Sequence, residues 1–444
     1  MKEQFTNKQL KNMILPLLAE QFMLMLVGLA DTFVVSFAGE AAVSGVSLVN
    51  SFNTIFIFLF TALASGGAVI VSQYIGKKEM KTASAAVSQL LLVSVLFSAA
   101  VSILILIFQG EIISFMCGRG EPEVRQACLT YLRISVYSYP ALAVYNAGAA
   151  LYRSVGKTGT TMNISIIANV INVAGNLIGV FVFHAGVAGV AYPSLFSRTF
   201  SAVIITVLCF KEHEGIRYYW KYIISWNGSL IKRIMGIAVP NGVESGIFQF
   251  VKVALSSIVA LFGTSQIAAN GIAQSIWSVA ALISSAMGPV FITVIGQCMG
   301  AGDVPQAERY FKKLMKTTVV LSLVWNGMIF ALTPLIAGTY AVSDTTRRYI
   351  IWLVLIHNVA NSIIFPFADP LGKGLRAAGD VRYTMAVSLG TTIGVRLVFS
   401  VLFGILLHMG VIGIALAMGM DWLVRAVIFW FRFKIGKWKT FQVV

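Results

Sequence analysis

Twelve stretches of about 20 apolar residues, almost free of charge, alternate with short polar segments along this 444-residue chain. A backbone in hydrocarbon must satisfy its own hydrogen bonds, and the stretches are much longer than the strands of about 10 residues that build membrane barrels. The pattern therefore predicts an all-α membrane protein of twelve transmembrane helices. The predicted spans are residues 13–36, 47–72, 83–108, 127–151, 162–183, 187–210, 234–261, 268–298, 315–338, 349–374, 383–407 and 411–433.

Charge along the chain predicts the topology. The net charge of +16 could suggest a nucleic-acid partner, but most of the 33 lysines and arginines lie at the N-terminus and in the even-numbered loops, as Lys8, Lys77 and Lys157 do. Basic residues accumulate on the cytoplasmic side of membrane proteins. We therefore expect both termini to be cytoplasmic and nucleic-acid binding to be absent.

The second half of the chain repeats the first. At an offset of 224 residues Pro240 falls on Pro16 and Glu244 on Glu20. Other pairs at this offset are Gly39 with Gly263, Ser51 with Ser275, Gln73 with Gln297, Gly76 with Gly300 and His184 with His408, whereas Arg153 meets Arg376 at an offset of 223. Six spans is an even number, so both copies enter the membrane from the same side, and parallel repeats of this kind are typical of transporters.

The repeat divides the chain into a six-helix lobe at 1–210, a cytoplasmic linker at 211–233 and a second six-helix lobe at 234–444. We expect the two lobes to form pseudo-symmetric bundles. The linker is basic and aromatic, which suits a segment lying on the membrane surface and a plain connection almost equally.

Four acidic residues within predicted spans are the main candidates for a functional role, because an ionised side chain there costs about 3 kcal/mol or more. Two of them, Glu20 and Glu244, each lie four residues after a proline, Pro16 or Pro240. A proline frees a backbone carbonyl one turn earlier. We predict helix breaks at both prolines and a carboxylate that binds a proton or a hard cation beside each. The alternative is that each glutamate caps a neighbouring helix or pairs with a lysine.

The third acidic residue, Asp369, lies between Pro366 and Pro370. The two prolines predict a broken helix, and irregular backbone at this depth is tolerated where it lines protein or a watery cavity. We therefore expect Asp369 to face a cavity. Its counterpart in the first half is Asn146. A structural salt bridge from Asp369 to Lys252 or Arg396 is the alternative.

The fourth acidic residue, Asp31, matches Leu255 in the repeat, and Lys252 matches Gly28. The halves thus agree in shape and differ in charge, as a directional binding chemistry requires. We predict cation coupling by Asp31, Asp369, Glu244 and Glu20, and contacts with substrate from Lys252, Asn146, Gln73, Gln297 and Arg396.

Several motifs resemble the multidrug and toxic compound extrusion (MATE) transporters over essentially the whole chain. They are the proline and glutamate of the first span with Asp31-Thr32-Phe33-Val34-Val35, PNGVESGIFQFVK in the seventh and DPLGKGLRAAGD in the tenth. The Asp421-Trp422 pair followed by Arg425 is similar to the branch of DNA-damage-inducible exporters.

The resemblance implies two lobes forming a V and a secondary active antiporter that exports cationic or amphipathic compounds in exchange for H⁺ or Na⁺ by alternating access. Asp31 matches the first-helix acidic residue proposed for proton coupling in that family, and Asp369 its tenth-helix cation-site aspartate. One departure is that Glu244 lies nearer its proline than the glutamate of the Na⁺-coupled branch does.

The sequence thus predicts a transporter and no enzyme, acting as a monomer in the bacterial cytoplasmic membrane with lipid and small organic compounds as partners. We expect no cofactor, and a Na⁺ ion near Asp369 is the one metal that the pattern allows. The alternatives are a flippase of lipid-linked saccharides, favoured by Lys252 and Arg396, and a membrane-embedded transferase, which would need a polar catalytic cluster such as D-D-x-x-D.

Overall fold

The computed structural model describes residues 3–118, 121–211, 215–340 and 342–441, except the side chains of Leu29 and Thr32. Every regular element in this part of the chain is a helix. Eleven of the described helices are long and apolar enough to cross a membrane. The fourth predicted span is formed by two shorter helices, each of 16 residues, which meet at Ser138. The prediction of an all-α membrane fold is confirmed.

The spanning helices have the following bounds. In the first half they are α1 (Asn7–Ser36), α2 (Glu40–Gly76), α3 (Met80–Ile107), α4 (Pro122–Tyr137 and Tyr139–Ser154), α5 (Thr158–Val182) and α6 (Ala188–Phe210). In the second half they are α7 (Gly228–Phe262), α8 (Thr264–Ala280 and Leu282–Gly300), α9 (Val304–Thr339), α10 (Asp344–Ala377), α11 (Val381–Leu406) and α12 (Gly410–Ile435). Short helices lie at Gln109–Cys117, Trp220–Ile224 and Lys437–Thr440.

Several helices start well before their apolar stretch because polar caps extend them. Thr6 and Gln9 form a reciprocal capping box at the start of α1. The Asp303 side chain accepts from the backbone N–H of Gln306 at 3.0 Å and so begins α9 eleven residues before the predicted span. Such caps satisfy N–H groups that have no partner inside the helix.

The chain divides into two compact units. The N-terminal unit is Thr6–Gly242, and the C-terminal unit begins at Val243 and includes residues 3–5. The division therefore lies inside α7 and not in the linker. The first part of α7 belongs to the N-terminal unit because Gly66 lets it approach α2 closely: a Cβ on Gly66 would lie 2.8 Å from the backbone nitrogen of Ala238.

The linker packs on α3 of the N-terminal unit. The Gln89 amide donates to the carbonyl groups of Tyr222 and Ser225, the latter at 2.6 Å, and its oxygen accepts from the Asn227 N–H at 3.0 Å. Linker residues 212–214 lie outside the described part of the chain. The described linker is thus a fixed element, and it leaves the Trp220 side chain exposed.

Residues at the start of the chain pack on α9. The Phe5 N–H donates to the Tyr310 hydroxyl oxygen at 2.8 Å. The same hydroxyl donates to the Phe5 carbonyl oxygen, also at 2.8 Å. The Gln4 N–H donates to the side-chain oxygen of Gln306 at 2.9 Å. These contacts place residues 3–5 in the C-terminal unit, although α1 begins only two residues later.

Pro16 and Pro240 do not break their helices, and this corrects the prediction. Helix α1 is continuous through Pro16 and α7 through Pro240. At Pro16 the reason is visible, since the carbonyl oxygen of Asn12, which loses its partner one turn before the proline, accepts from the Thr158 hydroxyl at 3.3 Å. A neighbouring helix thus supplies the missing hydrogen bond, as membrane bundles commonly do.

Helix α10 is interrupted where two prolines predicted a break. A turn of π-helix at Ala360–Ile364 is followed by the short helix Phe365–Ala368, and the last segment starts at Pro370. Asp369 lies at the junction with φ −112° and ψ −66°. The interruption exposes part of its side chain, which is 30% accessible.

The one-residue change in repeat offset has a structural explanation in α11. The offset is 223 at Thr161 and Thr384, and it is 224 at His184 and His408. Between these positions α11 contains a stretch of π-helix at Thr391–Leu397. A π turn bonds residue i to i+5 and accommodates one residue more than an α turn. The extra residue of the second half is therefore absorbed here.

Two other irregular turns are part of the repeat itself. The π turn Ile178–Val182 that ends α5 recurs as Leu402–Leu406 in α11, at an offset of 224. The interruption of α4 at Ser138 corresponds to the π turn Ala360–Ile364 of α10. The two units therefore share these two departures from regular helix as well as their helix order.

Candidate functional site

A cavity of about 380 Å³ lies within the N-terminal unit. Its wall is formed by α1, α2, α4, α5 and α6, and it is unusually polar for the interior of a membrane protein. The charged and amide side chains in its lining are Glu20, Gln21, Asp31, Asn146, Arg153, Asn169, Asn172 and Arg198.

Glu20 lines this cavity, but its carboxylate already forms an ion pair. Its side chain is almost fully buried, and one carboxylate oxygen accepts from Arg153 at 2.9 Å. The other oxygen accepts from the Thr161 hydroxyl at 3.3 Å. The negative charge of Glu20 is thus balanced by a basic side chain in direct contact. A cation would therefore have to compete with Arg153 for this site.

The same ion pair is present in the C-terminal unit. Glu244 pairs there with Arg376, whose Nε donates to the Thr384 hydroxyl at 3.1 Å. Each residue of this group matches its counterpart in the N-terminal unit at an offset of 223 or 224. The repeat thus carries a glutamate, an arginine and a threonine that join the first helix of each lobe to its fourth and fifth.

Breaking this pair in the N-terminal unit is expected to lower stability. Glu20→Gln leaves the Arg153 guanidinium, whose side chain is 24% exposed, without its counter-ion, at a cost of about 3 kcal/mol. Glu244→Gln has a somewhat larger expected effect, because the Arg376 side chain that it leaves without a counter-ion is only 14% exposed. Thermal unfolding of both purified variants measures the difference. Equal losses in the two variants would contradict the argument from burial.

Asp31 is the second carboxylate of the cavity, and it has a different environment. The Asn176 amide donates to one of its oxygens at 2.6 Å. No ion pair reaches Asp31 within the described part of the chain, although Arg198 lines the same cavity, with its guanidinium 2.7 Å from the Ser138 hydroxyl. Among the described residues, Asp31 therefore has no basic side chain that a cation would first have to displace.

Asparagines surround Asp31 with further polar atoms. Asn169, Asn172 and Asn176 follow one another at spacings of three and four, which places them on one face of α5. The Asn176 side-chain oxygen is buried without a hydrogen-bond partner, and so are the amide nitrogens of Asn146 and Asn169. Buried polar atoms are normally paired with protein, water or a bound solute. These atoms are therefore available to bind water or a solute.

The C-terminal unit contains a smaller pocket, of about 80 Å³, among α7, α8, α10, α11 and α12. Its polar lining consists of Lys252, Ser256, Asn270, Gln274, Trp277, His357 and Arg396. Behind the pocket, Asp421 is completely buried and pairs with both Arg396 at 2.6 Å and Arg425 at 2.9 Å. The Arg425 guanidinium also donates to the Thr392 hydroxyl at 2.8 Å.

The two cavities occupy equivalent places in the repeat but differ in the side chains at matching positions. At an offset of 224, Arg396 corresponds to Asn172 and Asp421 to Ser197. Arg425 corresponds in the same way to Ser201. Small uncharged side chains thus leave open space in the N-terminal unit, whereas a charged network fills the same region of the C-terminal unit.

A sequence profile of the MatE family matches residues 16–178 and matches again at 240–402, so the two halves are two copies of one family unit. The chain belongs to the MatE family of transporters. This match confirms the predicted family resemblance. It also confirms the prediction of a transporter and not an enzyme. The second matched segment starts 224 residues after the first, which is the offset seen in the sequence.

Relatives of this MatE transporter match over nearly its whole length. The uncharacterized transporter YisQ of Bacillus subtilis is 24% identical over 437 residues, which cover 95% of this chain and 93% of YisQ. The probable multidrug resistance protein NorM of Thermotoga maritima is 23% identical over 461 residues, covering 98% of this chain and 94% of NorM.

Solved structures show the same fold. A MOP superfamily transporter from Pyrococcus furiosus superimposes with a TM-score of 0.89 at 18% identity and covers 98% of this chain and 97% of its own. An outward-facing multidrug resistance MATE transporter gives a TM-score of 0.88 at 19% identity, with the same coverage.

Only some of the remaining predicted residues of the MatE transporter line the two cavities. Asp369 pairs with Lys373, one turn later, at 2.8 Å, and not with Lys252 or Arg396. Neither Asp369 nor the buried Gln73 and Gln297 line the two cavities described above. Of the predicted substrate contacts, Asn146 lines the larger cavity, and Lys252 and Arg396 line the smaller pocket.

Some lining residues were not predicted from the sequence, namely the asparagines of α5, His357 and Trp277. The asparagine spacing was a usable signal, because three amides on one face of an apolar helix need a polar surrounding. No comparable signal in the sequence indicates Trp277, whose role depends on which helix it packs against.

Proposed function

We propose that the MatE transporter is a secondary active exporter of cationic or amphipathic organic compounds, coupled to the entry of H⁺ or Na⁺ by alternating access. We place it in the bacterial cytoplasmic membrane with both termini in the cytoplasm. The observation that carries the proposal is Asp31, a carboxylate in a membrane-embedded cavity with an amide as its partner and no basic residue in ion-pair contact within the described chain.

The other candidate carboxylates support this choice by contrast. Glu20, Glu244 and Asp369 each have an arginine or lysine partner within 4 Å. A cation that binds one of them must first displace a basic side chain, and the displaced charge would then need a new partner. Asp31 needs no such exchange, so binding there costs less.

Asp31 and its neighbours suit each of the proposed ligands. A proton neutralises the carboxylate, and the unpaired Asn176 oxygen beside it adds a ligand of the type that hard cations prefer. An organic cation pairs with the same carboxylate and packs against the aromatic ring of Tyr145 in the cavity wall. Because the ion and the organic cation compete for one charge, binding of either favours release of the other.

The relatives add support on substrate class. NorM of Thermotoga maritima and NorM of Listeria monocytogenes are both described as probable multidrug resistance proteins. Adaptable binding of varied organic compounds is consistent with a cavity that combines amides, hydroxyls and the aromatic ring of Tyr145.

The test is dye efflux from vesicles with the two gradients imposed separately. The purified protein is reconstituted into liposomes with ethidium, and either a pH gradient or a sodium gradient is applied. We expect one gradient to accelerate ethidium movement against its own concentration gradient, and protein-free liposomes serve as the control. Movement that responds to neither gradient would overturn the proposal.

A further inference from the structure

The pocket of the C-terminal unit has a cationic lining that the proposed export of cations does not use. Lys252 and Arg396 both line it, and no aspartate or glutamate is among its described lining residues. Such a pocket repels an organic cation. We infer that this pocket binds a small anionic group: a carboxylate, a phosphate or a halide. The inference goes beyond the proposed function, whose ion site lies in the other unit.

The charge behind the pocket is in excess. Arg396 and Arg425 share the single carboxylate of Asp421. Two guanidinium groups on one buried carboxylate leave a net positive charge, which an anion in the pocket would balance. Arg396 itself is only 4% exposed, so little solvent screens it.

Lys252 adds a second cation at the accessible side of the pocket. Its side chain is exposed, and within the described chain it forms no ion pair. Its counterpart in the N-terminal unit is Gly28, and the counterpart of Arg396 is Asn172. The positive charge is therefore specific to this unit and is not an outcome of the duplication.

One neutral donor in the pocket has no acceptor. The indole nitrogen of Trp277 is buried without a hydrogen-bond partner, and an indole N–H can only donate. Leaving a buried donor unpaired costs about 1–3 kcal/mol. The neighbouring His357 is 3% exposed, and its Nδ1 also has no partner. An anion supplies an acceptor for the indole N–H and negative charge for Arg396 and Lys252 at once.

The volume of the pocket limits the size of the ligand that it can enclose. A volume of about 80 Å³ is well below the roughly 300–1,000 Å³ of pockets that enclose drug-sized ligands. A chloride ion, an acetate or an inorganic phosphate is of this order, whereas a whole drug molecule is not. A larger ligand could place only its acidic group here, so the pocket would select for compounds that carry one.

Anion binding can be measured on the full-length protein in detergent by thermal unfolding. Potassium chloride, potassium acetate and potassium phosphate are titrated separately. In the wild type we expect a saturable rise in unfolding temperature with at least one salt, because a ligand that binds only the folded state stabilises it. The salt that acts at the lowest concentration identifies the group.

Matched variants separate specific binding from general effects of ionic strength. Lys252→Met and Trp277→Phe each remove one donor while keeping an apolar body, and we expect the midpoint concentration to rise at least about tenfold in Lys252→Met. Arg348→Met, which removes an exposed cation outside the pocket in the same unit, should keep the wild-type midpoint. A wild type without saturation, or a Lys252→Met midpoint equal to the wild-type one, would overturn the inference. The assay needs no gradient, so its failure is distinct from a failure of dye efflux.

Discussion

The change Asp31→Asn is expected to abolish ethidium efflux driven by the coupling ion. Asparagine keeps the size of the side chain and its contact with Asn176 but can neither take up a proton nor offer a negative charge. A lost charge-assisted contact of about 1.5–3 kcal/mol weakens cation binding about tenfold to a hundredfold. Initial rates in the liposomes with the driving gradient applied give the measurement.

The control for this variant is Asp344→Asn. Asp344 lies at the start of α10 with 91% of its side chain exposed, so the same chemical change there should leave efflux at the wild-type rate. If Asp31→Asn retains full gradient-driven efflux while folding normally, Asp31 is not the coupling carboxylate.

The change Asp421→Asn is expected to cause the largest loss of stability. The Asp421 side chain is completely buried. Removing its charge leaves Arg396 and Arg425 as two neighbouring positive charges without their shared carboxylate. Removing one partner of a buried ion pair typically costs about 3–5 kcal/mol. The yield of folded protein and the unfolding temperature in detergent both report the loss.

A compensated variant tests the reason for that loss. Replacing Asp421, Arg396 and Arg425 together by leucine or methionine removes all three charges, and apolar replacements of a buried ionic group are often neutral or stabilising. We therefore expect the triple variant to be more stable than Asp421→Asn. A triple variant that is less stable would show that packing, and not the unpaired charge, determines the loss.

The apolar pattern and the repeat predicted most of the fold. Both signals can be read without knowing any tertiary contact, because a membrane span needs a long apolar stretch and a duplication preserves spacing. The irregular points were harder to predict. Pro16 was expected to break α1, but Thr158, which is distant in sequence, supplies the missing hydrogen bond.

The acidic residues of the site were predicted, but most of their partners were not. Glu20 and Arg153 are separated by 133 residues, and only packing shows that they meet. Asp369 and Lys373 are one helical turn apart, so their pairing could have been read from the spacing. Asp31 could be recognised as acidic from the sequence, whereas its lack of a basic partner depends on where every nearby helix places its charges.

The π stretch at Thr391–Leu397 has a consequence for how the two halves came to differ. The hydroxyl groups of Thr391 and Thr392 in this stretch both accept from the Arg425 guanidinium, and Arg396 is the sixth residue of the stretch. A single inserted codon after the gene duplicated would create such a turn, which takes up the extra residue locally and leaves both flanking parts of α11 matched to α5. Divergence of the two binding regions could therefore begin with one insertion, before any residue that contacts a ligand was exchanged.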